Sequence, residues 1–333
     1  MKAIKILAMA ALATAVFASC SSEDELAQSN YPMDNVVRIM TSVDGMNTRA
    51  SYGNSTAKLS SFGFCINNAG SAKYTYDNIK VTKEGNNWNP ATQMLWQNST
   101  TPVDILAYAP YQETTEDANG KVKVFGKTDY AFSVKEDQSN AEDYLSDLIV
   151  YKQTGFKPES DLNTNQAVNV AFTHLLSQLN LTIKLRDQFN QDEKKPVTSA
   201  TVTDVKVDGT FIRSKVNFAA DPISVQIGGT QVPKAITPET VAFTKADKTT
   251  DHATFKYSAI VIPQWIRAGV FCISFKVNGN DYIWTSTSDV NFVSGKKHDL
   301  LLLVGKDVVQ GGAISAKPWE EGTTGTTGSL ETD

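Results

Sequence analysis

Periodicity constrains this chain more than any other feature. Short runs alternate apolar and polar side chains with a period of two along nearly its whole length, the pattern of strands with one buried face. In Val36 to Val43, the side chains of Val37, Ile39 and Val43 fall on one face and those of Arg38 and Met40 on the other. Further strands are predicted over 61–66, 74–82, 103–109, 130–134, 147–151 and 167–172. Turn signals separate them, among them Asn67-Asn68, Gly85-Asn86-Asn87 and Asn119-Gly120. Phe172 to Leu179 alone reads as a short helix, with Leu175, Leu176 and Leu179 on one side, and Asn180 to Leu185 alternates again.

A second strand series follows the polar stretch Gln188 to Pro196: 200–207, 211–218, 223–227, 242–243, 254–261, 270–277, 282–285 and 298–304. Asn278-Gly279 between two apolar runs is a strong hairpin signal. With 41% hydrophobic residues in 333, the chain can bury a substantial core. The expected fold is all-β, two tandem β-sandwich domains of about seven strands each, with one short helix in the first. The N-terminal sandwich is placed at 50–187 and the C-terminal one at 188–333, where Gly322 to Asp333 reads as a flexible tail.

The N-terminus reads as an address. Lys2 and Lys5 precede an apolar run, Ile6 to Ser19, too short for the ~30 Å hydrocarbon core at ~1.5 Å per residue. Residues 1–19 are therefore taken as a secretory signal. The run ends Phe17-Ala18-Ser19-Cys20, which resembles a bacterial lipobox, although that pattern prefers Leu where Phe17 stands. The resemblance implies cleavage between Ser19 and Cys20 by a lipoprotein signal peptidase and attachment to outer-membrane lipid through Cys20. Several acyl chains would be needed, because one anchors only marginally. The acidic Ser21-Ser22-Glu23-Asp24-Glu25 resembles the export tag of Bacteroidetes surface lipoproteins. An ordinary signal peptide with Cys20 incidental is the alternative. Cys65 and Cys272 lie in strand-like runs of different halves and are expected as two buried free thiols, even in an oxidising compartment.

Catalytic chemistry is hard to find. The net charge is −5, from 31 Lys and Arg against 36 Asp and Glu, and no basic cluster suits nucleic acid. His174, His252 and His298 are far apart, and no nucleophile elbow, phosphate loop or dinucleotide fingerprint occurs. The acidic runs Glu113 to Asp117 and Glu136 to Asp143 do not match a calcium loop and read as solvated turns. Trp88, Trp96, Tyr108 and Tyr111 suggest either a carbohydrate platform or core filling. No catalytic residue, metal or cofactor is assigned, and the chain is not expected to be an enzyme. A hydrolase on a β-sandwich would need Asp, Glu or His side chains converging in a cleft.

Several segments together resemble the fimbrillin family of Bacteroidetes type V pilins and related surface lipoproteins. They are the lipobox at Cys20, Thr48-Arg49-Ala50 after the first strand, Trp96 followed by Pro102 to Pro110 (PVDILAYAP), Val168 to Leu179 (VNVAFTHLLSQL), Ala259 to Gln264 (AIVIPQ) and a terminal strand from Ile314 to Trp319. The resemblance implies transthyretin-like sandwiches, export as a lipoprotein, maturation by an Arg-specific protease and polymerisation by strand exchange with itself or other pilin subunits. Residues 20–49 would then be a lipidated pro-segment with the first strand, cleaved between Arg49 and Ala50. Val37, Ile39 and Val43 would be the displaced strand, and Ile314, Ala316 and Trp319 the candidate donor, with Gly311-Gly312 as hinge. Thr48-Arg49-Ala50 as a simple polar loop, and the terminal segment as the last strand of its own domain, stay open. The location implied is the cell surface, first at the outer membrane and then in the fimbrium. The rival reading is a lipid-anchored binding protein, or a tip or anchor adhesin, that does not polymerise and contacts a host receptor or glycan.

Overall fold

Where the sequence alternates, the backbone pairs. The computed structural model describes residues 30–43, 58–113, 116–117, 120–121, 123–140, 143–191, 196–247 and 252–318. The first half supplies β1 (Arg38–Val43), β2 (Ser61–Asn67), β3 (Tyr76–Glu84), β4 (Asn87–Pro90) and β5 (Val103–Ala109). A two-residue hairpin follows, β6 (Glu116–Asp117) and β7 (Gly120–Lys121), then β8 (Tyr130–Ser133), β9 (Ile149–Phe156) and β10 (Ala167–His174). A seven-stranded sheet runs in the order β1-β10-β9-β5-β2-β3-β4. It wraps a core that includes Phe62, Phe64, Trp96, Ile105, Phe156 and Phe172. All-β is the fold class, as expected.

The second half contributes β11 (Ser177–Leu185), β12 (Val202–Thr210), β13 (Arg213–Asn217), β14 (Ser224–Ile227), β15 (Lys234–Ile236), β16 (Glu239–Thr244) and β17 (Ala253–Val261). After them come β18 (Gln264–Ile266), β19 (Cys272–Val277), β20 (Asn280–Thr285), β21 (Val290–Phe292), β22 (Lys296–Val304), β23 (Val309–Gly311) and β24 (Ser315–Pro318). The main sheet has the order β16-β17-β11-β22-β23, with β24 also on β22. A four-stranded sheet, β15-β12-β19-β20, contains the hairpin predicted at Asn278-Gly279. Two of the expectations need correction. Cys65 is buried, but Cys272 is only half-buried; both are free.

The other correction concerns the helix read at Phe172 to Leu179. That stretch is strand, corner and strand: β10 runs to His174, and β11 begins at Ser177. Phe172 belongs to the first core, whereas Leu175, Leu176 and Leu179 belong to the second. The apolar residues mimic a helical stripe because the chain crosses between two cores there. A short helix of the first half, α1 (Pro158–Asp161), lies earlier, with Pro158 at its first turn. The crossing also places β11, on the N-terminal side of the 187/188 division, at the centre of the C-terminal sheet, between β17 and β22. β8 likewise pairs with β13 of the second half.

That interleaving explains the near-continuous apolar run in β5. Ile105, Ala107 and Ala109 face the first core, while Leu106 and Tyr108 face the second. A strand covered on both faces loses its alternation. Tyr108 is fully buried against Tyr130 and Phe218 and donates to Asn78 Oδ1 at 2.6 Å.

Candidate functional site

Two strands near the ends of the described chain carry the features on which assembly would depend. The first, β1, sits at the edge of the seven-stranded sheet and pairs in parallel with β10, from Arg38 opposite Ala167 to Val43 opposite Phe172. Its inward face follows the predicted alternation: Val37 is 2% exposed and Ile39 6%. The hydroxyl of Thr41, on the same face, is buried without a hydrogen-bond partner among the described residues, a group that destabilises where it stands. Ahead of the strand, Val36 bridges Leu95, the Val37 N–H donates to the Met94 carbonyl at 3.0 Å, and Trp96 N–H donates to Asn35 at 2.8 Å. Arg38 is held by Asp34, Nη2 to Oδ2 at 2.6 Å, on the solvent side. This hydrogen bond keeps the Asp34 carboxyl below its ordinary pKa. Ser19, Cys20, Arg49 and Ala50 lie outside the described residues.

The second is β24. The chain leaves β22, returns along it as β23, and continues as β24 after a one-residue change of register between Gly311 and Ser315. Ser315 to Pro318 pairs antiparallel with Asp299 to Lys296. Ser315, Ala316 and Lys317 are exposed, and Ile314, just before the strand, is half-buried against the second core. Trp319 lies outside the described residues. Gly311 pairs with Leu302 at the end of β23, and a side chain there would collide with the Trp284 indole. At Gly312, just beyond it, a Cβ would meet nothing, and the N–H donates to the Leu301 carbonyl at 3.3 Å.

One side-chain contact latches β24. Lys317 Nζ lies 2.7 Å from Asp299 Oδ2, and Asn180 on β11 donates to the other oxygen at 2.9 Å. Burial works against the charge on Asp299, but these hydrogen bonds outweigh it and hold its pKa below the ordinary carboxyl value. Its neighbour His298 points into the protein, where Nε2 accepts the Val293 N–H at 3.1 Å and the ring meets Phe292 edge-on. Burial pushes the pKa of His298 down. Sequence reading missed Asn180, Asp299 and Lys317, because their meeting depends on the register of three strands far apart in the chain.

Among the described residues the remaining candidates do not converge on a reaction site. Buried His174 and Asp147 pair at 2.8 Å beside the corner between β10 and β11. Among the described residues no group of His, Cys, Asp or Glu has the arrangement of a metal site. The four aromatics are dispersed: Trp96 stacks on Phe156, Tyr108 is buried at the junction, Trp88 meets Phe62, and Tyr111 receives Lys80 over its ring. Core filling and edge covering account for them. No helix among the described residues is long and apolar enough to cross a membrane.

Known proteins carry the same architecture. The model of the fimbrillin-like family matches residues 48–319. A fimbrial protein from Bacteroides vulgatus is 16% identical, over 85% of this chain and 99% of its own, with a TM-score of 0.51. A candidate cell adhesion protein from Bacteroides ovatus is 13% identical, over 84% of this chain and 97% of its own, with a TM-score of 0.57. Another from Bacteroides uniformis is 20% identical, over 86% and 99%, with a TM-score of 0.53. At these identities the likeness is one of fold. No curated protein matches the chain.

Proposed function

This chain belongs to the fimbrillin-like family, and from that premise we propose that it is a structural subunit of surface fimbriae, exported as a lipoprotein precursor through Cys20 and serving adhesion. In this reading an Arg-specific protease cuts after Arg49 and β1 departs with the lipidated segment. The acceptor so opened takes the C-terminal strand of another copy. The observation that supports it is the unequal attachment of the two strands: β1 fills a core, whereas β24 lies on the surface.

Burial of Val37 and Ile39 is worth about 1.5–3 kcal/mol each, against ~5–15 kcal/mol for a whole domain. Losing β1 would therefore expose an apolar groove and the bare edge of β10, and an incoming strand restores both contacts. While β1 is paired, Arg38 is shielded by the ladder and by Asp34, so Arg49 is the better substrate. β24 is suited to donation because leaving β22 uncovers little apolar surface. Its Pro318 lacks a donor for the ladder and belongs at a strand end.

Digesting the purified full chain with an Arg-specific protease tests the proposal. A new N-terminus at Ala50 and SDS-resistant ladders are expected. Monomer after complete digestion, or a cell-surface form whose N-terminus remains Cys20, contradicts it.

A further inference from the structure

β1 ends the first sheet on one side and β4 on the other. Val36 bridges Leu95 at the start of the seam between them, and beyond that bridge the two edges are not paired. Their backbones approach within 8 Å. A strand hydrogen-bonded to both edges would need about 9–10 Å, twice the ladder spacing, so the seam admits no further strand. It nevertheless holds a groove of about 830 Å³, within the size range of small-ligand sites.

The charged side chains on its walls are engaged. Arg38 is taken up by Asp34, and Lys83 lies over the Trp88 ring, with Nζ 5.7 Å from the centroid. Glu84, next to the groove, accepts a hydrogen bond from Asn89 at 2.7 Å. What the walls offer a ligand is amide and apolar. Asn86, Asn87 and Gln93 are exposed there, and their side chains have no hydrogen-bond partner among the described residues. Of the four aromatics considered from the sequence, Trp88 alone lines the groove, half-buried and held edge-on to Phe62 at 5.1 Å. Met40, 43% exposed, adds an apolar side chain. Thr41 also borders the groove, and its hydroxyl is the buried one without a partner among the described residues.

We infer that this groove is a binding site for a neutral carbohydrate, a short oligosaccharide without carboxylate or sulfate. A sugar hydroxyl both donates and accepts, and a primary amide presents a donor and an acceptor side by side. The C–H face of a pyranose packs on an indole as other apolar groups do. An anionic ligand would have to take Arg38 from Asp34, at the cost of that ion pair. The Thr41 hydroxyl gains from such a ligand the hydrogen bond that the protein does not give it. The site goes beyond the pilin reading: it requires β1 in place, but neither cleavage at Arg49 nor polymerisation.

The test titrates the purified full chain with maltotriose, cellotriose, mannotriose, diacetylchitobiose and sialyllactose, followed by calorimetry and by the shift of the Trp88 indole N–H resonance. At least one neutral sugar should bind in the millimolar range or tighter and move that resonance, and sialyllactose should bind more weakly than the best of them. Asn87→Ala combined with Gln93→Ala, both on the surface, should weaken that binding about tenfold, the loss expected for one to two hydrogen bonds. Thr41→Val should weaken it as well while raising the urea midpoint, a pair of changes that misfolding does not produce. No shift of the indole resonance with any neutral sugar, tighter binding of sialyllactose, or full-strength binding by either variant overturns the inference.

Discussion

β1 and β24 are both edge strands with a single ladder partner, yet they are secured by different physics. β1 pairs over six residues, in parallel, and inserts Ile39, with Val37 just ahead of it, into a core. β24 pairs over four, antiparallel, with exposed side chains and one ion pair. Apolar burial is not screened by salt and is strong per residue; an exposed ion pair is weak and screened. The molecule therefore has one edge strand tied into a core and another held by its ladder and a surface contact.

Substitutions can break this contrast, and the largest effect belongs to β1. Ile39→Ala should lower stability by about 2–5 kcal/mol, seen as a shift of the urea midpoint; a shift near zero would mean that β1 contributes little to the core. Thr41→Val removes a buried, unpartnered hydroxyl and should raise stability by about 1 kcal/mol, with a matching slowing of exchange in β10. An unchanged or lowered midpoint would show that the hydroxyl is satisfied after all.

Acid sharpens the comparison on the other side. His298 has a folded pKa below its unfolded value of about 6.5, so the unfolded chain takes up its proton first. Its contribution is complete above that pH and is lost as the pH falls through the lowered value. Asp299 acts in a separate window: its contribution is present above the ordinary carboxyl pKa of about 3.9 and lost below it. An acid titration followed by amide exchange should loosen β22 in the first window and β24 in the second, leaving the ladder between β1 and β10 intact in the first. His298→Gln should abolish the first step. Lys317→Ala is the smallest change: stability should stay within about 0.5 kcal/mol, while the amides of β24 exchange faster. A larger loss would mean that β24 is anchored like β1.

Much of this fold was legible because a strand with one buried face writes its period into the sequence. Ile39 on β1, Val37 just before it, and the hairpin at Asn278-Gly279 are readable in that way. The reading failed where a segment serves two cores. Phe172 to Leu179 spaces its apolar residues like a helical stripe because the chain turns from one sheet into another, and local periodicity does not distinguish that from a helix. β11 was assigned to the first half because the polar stretch from Gln188 marks a surface loop, which need not coincide with a change of core. The latch of Asn180, Asp299 and Lys317 and the seam beside β1 depend on register and on a ladder that stops short. Neither is written in any one segment.

The central claim is that β24 of one copy takes the place of β1 on another. Inter-copy disulfide trapping tests it most directly. One population would carry Asn169→Cys on β10, and a second Ala316→Cys or Lys317→Cys, one on each face of β24. After complete cleavage at Arg49, mixing the two should yield a covalent dimer through one of the β24 positions, and uncut chains should yield none. Cross-linking that ignores cleavage, or its absence at both positions after complete cleavage, would contradict the account.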